Sequence, residues 1–230
     1  ILQQFDTDLE ELKRMVLEMG GVVEQQIVDS VNSIENADSQ LAEKVIQVED
    51  DVDLREVALD EACMTVLACR QPAATDLRMV LTVTKMTRDL ERMGDEAQKI
   101  AKMAIALNQN GAAPGGYEEA RHMGALVQQM VHSVLDAFAR FDVNTALDVA
   151  RADKQVDREY KSAMREIVTY MMEDPRSITR AMNILWTLRS IERIGDHARN
   201  IAEHIIFLVK GLDVRHSSVK EIEAQIGKSK

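Results

Sequence analysis

Glu91 and Asp95 lie in the stretch TRDLERMGDEAQKIA, residues 87–101, and Glu192 and Asp196 hold the same places in LRSIERIGDHARNIA, residues 188–202. A repeat at this long offset marks duplicated domains rather than a solenoid of short units. Two more acidic pairs of the same spacing stand upstream, Glu49 with Asp53 and Asp153 with Asp157. Residues four apart share a helix face, where like charges are mildly unfavourable. Each half therefore offers two acidic pairs on consecutive antiparallel helices. The first-half pairs lie at similar distances from the connecting turn at Pro72, so they can meet at one height. Four carboxylates converging between two helices repel one another unless cations join them. Oxygen donors favour Mg²⁺, Mn²⁺ or iron over a thiolate-type zinc site. Because carboxylates can bridge ions, a multinuclear cluster is a reasonable expectation.

Solvated or ion-paired faces are the competing explanation. It suits the two copies of the repeat, where Arg88 is placed to reach Glu91, and Arg92 and Lys99 to reach Asp95. Arg189, Arg193 and Arg199 do likewise in the second copy. It suits the upstream acids less well. Glu49, Asp53, Glu56 and Asp60 form a helical stripe with no Lys or Arg three or four residues away. Lys154 and Lys161 can serve Asp157. His197 and Asn200 stand beside the second-copy pair, where the first copy has Glu96 and Lys99, so two sites would not be identical. Gly94 and Gly195 sit inside both copies. A mid-helix glycine costs about 1 kcal/mol against alanine. It serves either close helix packing or room for ions beside the carboxylates.

The elements that must hold these residues read as helices throughout. Leu9, Leu12, Val16, Met19, Val23, Ile27, Val31 and Ile34 recur at three and four over residues 2–36, with Gly20-Gly21 as an expected kink. A second helix is expected from Ser39 to Arg70, ended by Gln71-Pro72, and a third from Asp76 to Asn108. The breaker cluster from Asn110 to Gly116 separates the halves. Three more helices follow, over about 117–141, 143–172 and 177–210, and the polar tail from Asp213 is expected to fray. The fold class is thus all-α: two tandem antiparallel three-helix bundles, residues 1–109 and 117–212, with a linker at 110–116 and a tail at 213–230. The 13 methionines read as core filler.

A net charge of −11 leaves no basic field to displace counterions from nucleic acid, so nucleic acid is excluded as a partner. Cys63 and Cys69 read as reduced thiols of a cytoplasmic protein. No apolar run reaches the roughly 18 residues of a membrane span. A di-iron carboxylate oxidase of the ferritin-like type needs Glu-x-x-His on two helices. The chain has one such element, Glu119 with His122, beside the linker. No Gly-rich phosphate loop supports ATP binding. His132, His204 and His216 read as surface or packing residues. A metal-free helical scaffold is the remaining alternative.

LERMGDEA and SIERIGDHARNIAE, together with MGGVVEQQI, RQPAATDLR, LDAFARFD and TYMMEDP, resemble the PhoU family over essentially the whole chain. The resemblance implies a pair of three-helix bundles related by pseudo-two-fold symmetry. It implies a non-enzymatic negative regulator of the bacterial phosphate-starvation response. The expected partners are the phosphate ABC transporter, through its ATPase PstB, and the sensor histidine kinase PhoR. A homodimer is expected, cytoplasmic and peripheral to the inner membrane only through those partners. The resemblance also implies iron, zinc, magnesium or manganese at Glu49, Asp53, Glu91 and Asp95 in the first half. In the second half the ligands would be Asp153, Asp157, Glu192 and Asp196. Glu56 and Asp60 extend the first set, whereas Tyr160 and Met164 stand at the matching places of the second.

Overall fold

The computed structural model describes residues 2–69 and 72–228, with side chains from residue 6 onward. Six long helices follow the expected order: α1 Leu2–Glu35, α2 Ser39–Cys69, α3 Ala74–Asn110, α4 Tyr117–Arg140, α5 Val143–Glu173 and α6 Ile178–Lys210. A 3-10 turn, Pro175–Ser177, joins α5 to α6, and no strand occurs among the described residues. The expected end of the second helix at Arg70 and Gln71 lies outside the described residues.

Local chemistry sets the boundaries. Asp38 caps α2 by accepting from the backbone N–H of Leu41 at 3.0 Å. Asp142 caps α5, accepting from the Thr145 N–H and its hydroxyl at 3.2 and 2.7 Å. Gly211 ends α6 at a φ of +68°, donating its N–H to the carbonyl of Phe207.

α3 and α6, the helices that carry the repeat, pack on each other at the centre. α1 lies against α3, α4 against α6, and α1 meets α4. α2 and α5 take the two outer edges, α2 packed on α1 and α3, and α5 on α4 and α6. Each half is therefore a three-helix bundle, and the pairs α3–α6 and α1–α4 join them. A single apolar cluster runs through both halves, from Leu12 and Met19 through Met86, Leu90 and Met93 to Ile184, Ile191 and Ile205. Fully burying such side chains contributes about 1.5–3 kcal/mol each.

α1 is helical through Gly20-Gly21, and packing accounts for the first of these glycines. A Cβ at Gly20 would come within 2.6 Å of Leu135 on α4, while one at Gly124 of α4 would come within 2.6 Å of Val31 on α1. The two helices thus approach through a glycine from each side.

Two expectations need correction. Met64 and Met172 are exposed, unlike the buried Met19, Met86, Met93 and Met123, so not every methionine fills the core. The tail also does not fray: it forms α7, Val219–Lys228. Val214, Val219 and Ile222 are buried, and Ser218 and Glu221 form a reciprocal capping box. Three apolar residues were too few to register as a pattern, yet they suffice once they have a surface to dock on.

Candidate metal centre

The outer groove between α2 and α3 gathers the first acidic set. Glu49, Asp53 and Glu56 descend one face of α2, and Glu91 and Asp95 face them from α3. Glu49, Glu91 and Asp95 each place a carboxylate oxygen within 4.8 Å of the others, and so do Asp53, Glu56 and Glu91. Glu91 belongs to both trios. Two adjacent cation positions sharing one carboxylate are what a bridged pair of ions requires.

The groove between α5 and α6 gathers the second set. Asp153, Asp157 and Asp196 bring one oxygen each within 4.8 Å. Glu192, expected to join them, instead accepts a hydrogen bond from Arg189 at 2.7 Å. Seven of the eight expected ligands therefore fall in such trios of their own half, and Glu192, bonded to Arg189 through one oxygen, stands near Asp196, Asp157 and Asp153 without joining one. Asp60 belongs to neither first-half trio. Glu56, expected only as an extension of the stripe, is a full member of one.

Electrostatics show what these positions lack. Burial, and then the charges of Asp95 and Glu56, push the Glu91 carboxyl up to about 7. Burial and Asp196 do the same to Glu192, also to about 7, while burial, Asp157 and Asp196 raise Asp153 to about 6. Burial also raises Glu49, Glu56 and Asp196, with neighbouring acids adding to it. Surrounded by like charges in partly buried grooves, these groups resist ionisation, and a bound cation would reverse that preference. Among the described residues, Glu49 Oε1, Asp153 Oδ1 and Asp157 Oδ1 are buried with no hydrogen-bond partner. Orphaned buried oxygens are rare and costly. All three are oxygen donors of the kind suited to hard or borderline cations. The residues present fit a metal.

The glycines of the repeat border this space. A Cβ at Gly94 would stand 3.1 Å from Glu49 Oε2 and 3.1 Å from Gln26 Oε1, and one at Gly195 would stand 3.5 Å from Asp153 Oδ1. Gln26, on α1, was not foreseen. It is buried and donates through Nε2 to Glu49 Oε2 at 2.9 Å, orienting that carboxylate.

The cations of the repeat go elsewhere than expected. Lys99 binds Glu96 at 2.9 Å, not Asp95, and Arg193 reaches the same Glu96 across the α3–α6 interface at 3.4 Å. Arg88 makes no ion pair with Glu91 among the described residues. Arg92, half exposed, lies 3.6 Å from Glu91 and 3.9 Å from Asp95. Ion pairing in the first-half groove is thus confined to this arginine, and among the described residues Glu49, Asp53 and Glu56 make no salt bridge. His197, expected beside the second site, turns to Asp89, as do Asn200 and His204, at 2.9, 3.1 and 2.9 Å. Burial would raise the Asp89 carboxyl, but these donors together hold it below its ordinary value. This cluster ties α3 to α6 and was missed. Its one visible signal is that Asp89 stands where the second copy has Ser190. His122, the histidine of the lone Glu-x-x-His, donates through Nδ1 to Glu159 Oε2 at 2.7 Å.

The chain is similar to known proteins over nearly its whole length. The PhoU domain matches the chain twice, over residues 16–104 and 120–205. A Pseudomonas aeruginosa protein described as a phosphate-specific transport system accessory protein PhoU homolog is 54% identical, over 98% of this chain and 93% of its own. The phosphate-specific transport system accessory protein PhoU of Escherichia coli strain K12 is 44% identical, over 96% of this chain and 91% of its own. Among solved structures, PhoU from Pseudomonas aeruginosa superposes with a TM-score of 0.89 at 56% identity, covering 90% of this chain and all of that one (100%). The phosphate transport system regulatory protein PhoU from Streptococcus pneumoniae superposes with a TM-score of 0.84 at 30% identity, covering 91% and 99%.

Proposed function

The chain belongs to the PhoU family, and from that premise we propose that it is a regulatory accessory protein of a phosphate-specific transport system, working by contact with other proteins and using metal ions to fix its shape. The finer reading is a cytoplasmic negative regulator of the phosphate-starvation response, bridging the ATPase of the phosphate transporter and the sensor histidine kinase. It acts as a homodimer and catalyses no reaction itself. Family membership supports the accessory role. The observation that carries the metal is the set of buried, unpartnered carboxylate oxygens that recurs in both halves.

Ions held between α2 and α3, and between α5 and α6, would cross-link each outer helix to the central pair, and binding energy would become conformational stability. The outer helices are also the natural contact faces. α2 exposes Leu54, Val57 and Met64 beside its acids, whereas α5 exposes Lys154, Arg158, Lys161 and Arg165 along one stripe. No helix among the described residues is long and apolar enough to cross a membrane.

Two measurements test this reading. Protein purified without chelators should carry divalent or trivalent metal. Protein stripped of metal should rebind Mn²⁺, and failure to bind would overturn the metal role. Replacing Asp95 and Asp196 together by Ala should make phosphate-starvation signalling constitutive, read from a phosphate-regulated reporter. An unchanged reporter would remove the acidic pairs from the regulatory function.

A further inference from the structure

The two grooves are copies of one design, and the copies differ at the residues that border the carboxylates. Gly94 faces Gln26 of α1, whereas Gly195 faces Val127 of α4 at 3.5 Å. Gln98 stands in the first copy of the repeat where Arg199 stands in the second. Each exchange changes what the groove offers a cation.

Gln26 is only 2% exposed. Its Nε2 donates to Glu49 Oε2 at 2.9 Å, and only the nitrogen end of an amide can donate to a carboxylate, which fixes the orientation of the group. Its Oε1 is thereby left buried without a partner, beside the equally unpartnered Glu49 Oε1. Both oxygens border the space that the missing side chain of Gly94 leaves open, at 3.1 and 3.3 Å from where a Cβ would be. Gln26 thus holds one oxygen of Glu49 in place, frees the other, and adds a neutral oxygen of its own.

The second groove has no such amide, and its arginine is the more deeply set: the Arg199 side chain is 24% exposed, against 51% for Arg92 at the edge of the first groove. Arg199 Nη1 lies 3.5 Å from Asp153 Oδ2, its Nε donates to Glu203 at 3.2 Å, and its Nη2 donates to the carbonyl of Ser217 at 3.2 Å. Anchored at three points, the guanidinium cannot swing away freely. It supplies a permanent positive charge at the acidic trio, and an arriving divalent ion would be repelled by it.

We propose that the two grooves are inequivalent metal sites: the α2–α3 groove is the tight site, with Gln26 positioning Glu49 and offering a neutral oxygen donor, and the α5–α6 groove is a weak site whose affinity Arg199 holds down. This rests on the reading that the grooves bind metal. The outer edge of the first half would then be cross-linked at low metal concentration, while that of the second half would respond only as metal rises.

The test is calorimetric titration of chelator-treated full-length protein with Mn²⁺, together with thermal melts in its absence and presence. Two classes of site are expected, at least about tenfold apart, the range over which residues behind the ligands alter metal affinity. D95N should abolish the tight class and D196N the weak one. Q26V, which removes the amide, should weaken the tight class about tenfold. It should lower the metal-free melting temperature only slightly, because loss of the orphaned Gln26 oxygen offsets part of the cost of leaving Glu49 Oε2 without its donor, and it should reduce the Mn²⁺-induced rise. R199Q, which copies the first half, should tighten the weak class. Equal affinities in the wild type would overturn the proposal, as would a weak class indifferent to R199Q. Should Q26V not fold, the R199Q result decides. Absence of any Mn²⁺ binding would instead strike the metal reading beneath it.

Discussion

Gly94 and Gly195 hold equivalent places in the repeat and meet different surroundings. Alanine at a mid-helix glycine is worth about 1 kcal/mol when the added methyl meets nothing closer than ordinary contact. At Gly195 the nearest atoms are 3.5 Å from the new Cβ, so Gly195→Ala should stabilise the protein by about 1 kcal/mol in chemical denaturation. At Gly94 the approach is 3.1 Å to both Glu49 and Gln26, so those side chains must give way. Gly94→Ala should gain less in the metal-free protein and should lose part of the stabilisation that Mn²⁺ confers, seen as a smaller shift in melting temperature. Equal behaviour of the two variants would show that the first groove has slack to spare. The acids themselves predict a pH dependence. Glu91 and Glu192 titrate near 7 in the folded chain, against 4.5 for the ordinary group. Between those values the folded state binds more protons than the unfolded one, so stability falls as pH rises through that window. Metal-free protein melted at intervals from pH 5 to pH 8 should show this fall. E91Q should make it shallower, and saturating Mn²⁺ should oppose it.

Six of the helices were legible from their apolar spacing, because each buries a face along nearly its whole length. Pairing across long separations was not. Nothing around Asp89 foretells His197, which lies 108 residues on and meets it only because α3 and α6 cross. Gln26 was invisible for a similar reason: it is one amide in a helix otherwise explained by its core positions. The spacing of the acidic sets was legible because it is local, and the Arg189 that binds one Glu192 oxygen is equally local. α7 is the element the sequence hid best. Ile222, fully buried, is its main anchor. Ile222→Ala should therefore cost about 2–4 kcal/mol. Ser218→Ala, which removes the cap, should cost about 1 kcal/mol. Both would be read from denaturant midpoints. Losses below a few tenths of a kcal/mol would mean that α7 contributes nothing to the stability of the bundle.

At the scale of the molecule, the duplicated sequence suggests two units, but one apolar cluster passes through both and the two repeat helices pack on each other. Calorimetry of the metal-free protein should show one cooperative transition, and two resolved peaks would mean that the halves melt independently. Asp89 contributes to that unity. Its side chain is 11% exposed and is satisfied entirely from α6. Asp89→Ala should destabilise the whole by about 3 kcal/mol while leaving the Mn²⁺ titration of the grooves in place.

The central crossing also has a consequence in time. α3 is complete when α6 has yet to be synthesised, and Asp89 precedes its partner His197 by 108 residues. At elongation rates of about 5–20 residues per second, that separation is a wait of roughly 5–20 s. Throughout it, the first bundle carries an uncovered apolar face on α3. The design that gives the finished protein a single core thus exposes the nascent chain during synthesis. Slowing translation between the two copies of the repeat should lower the yield of soluble protein.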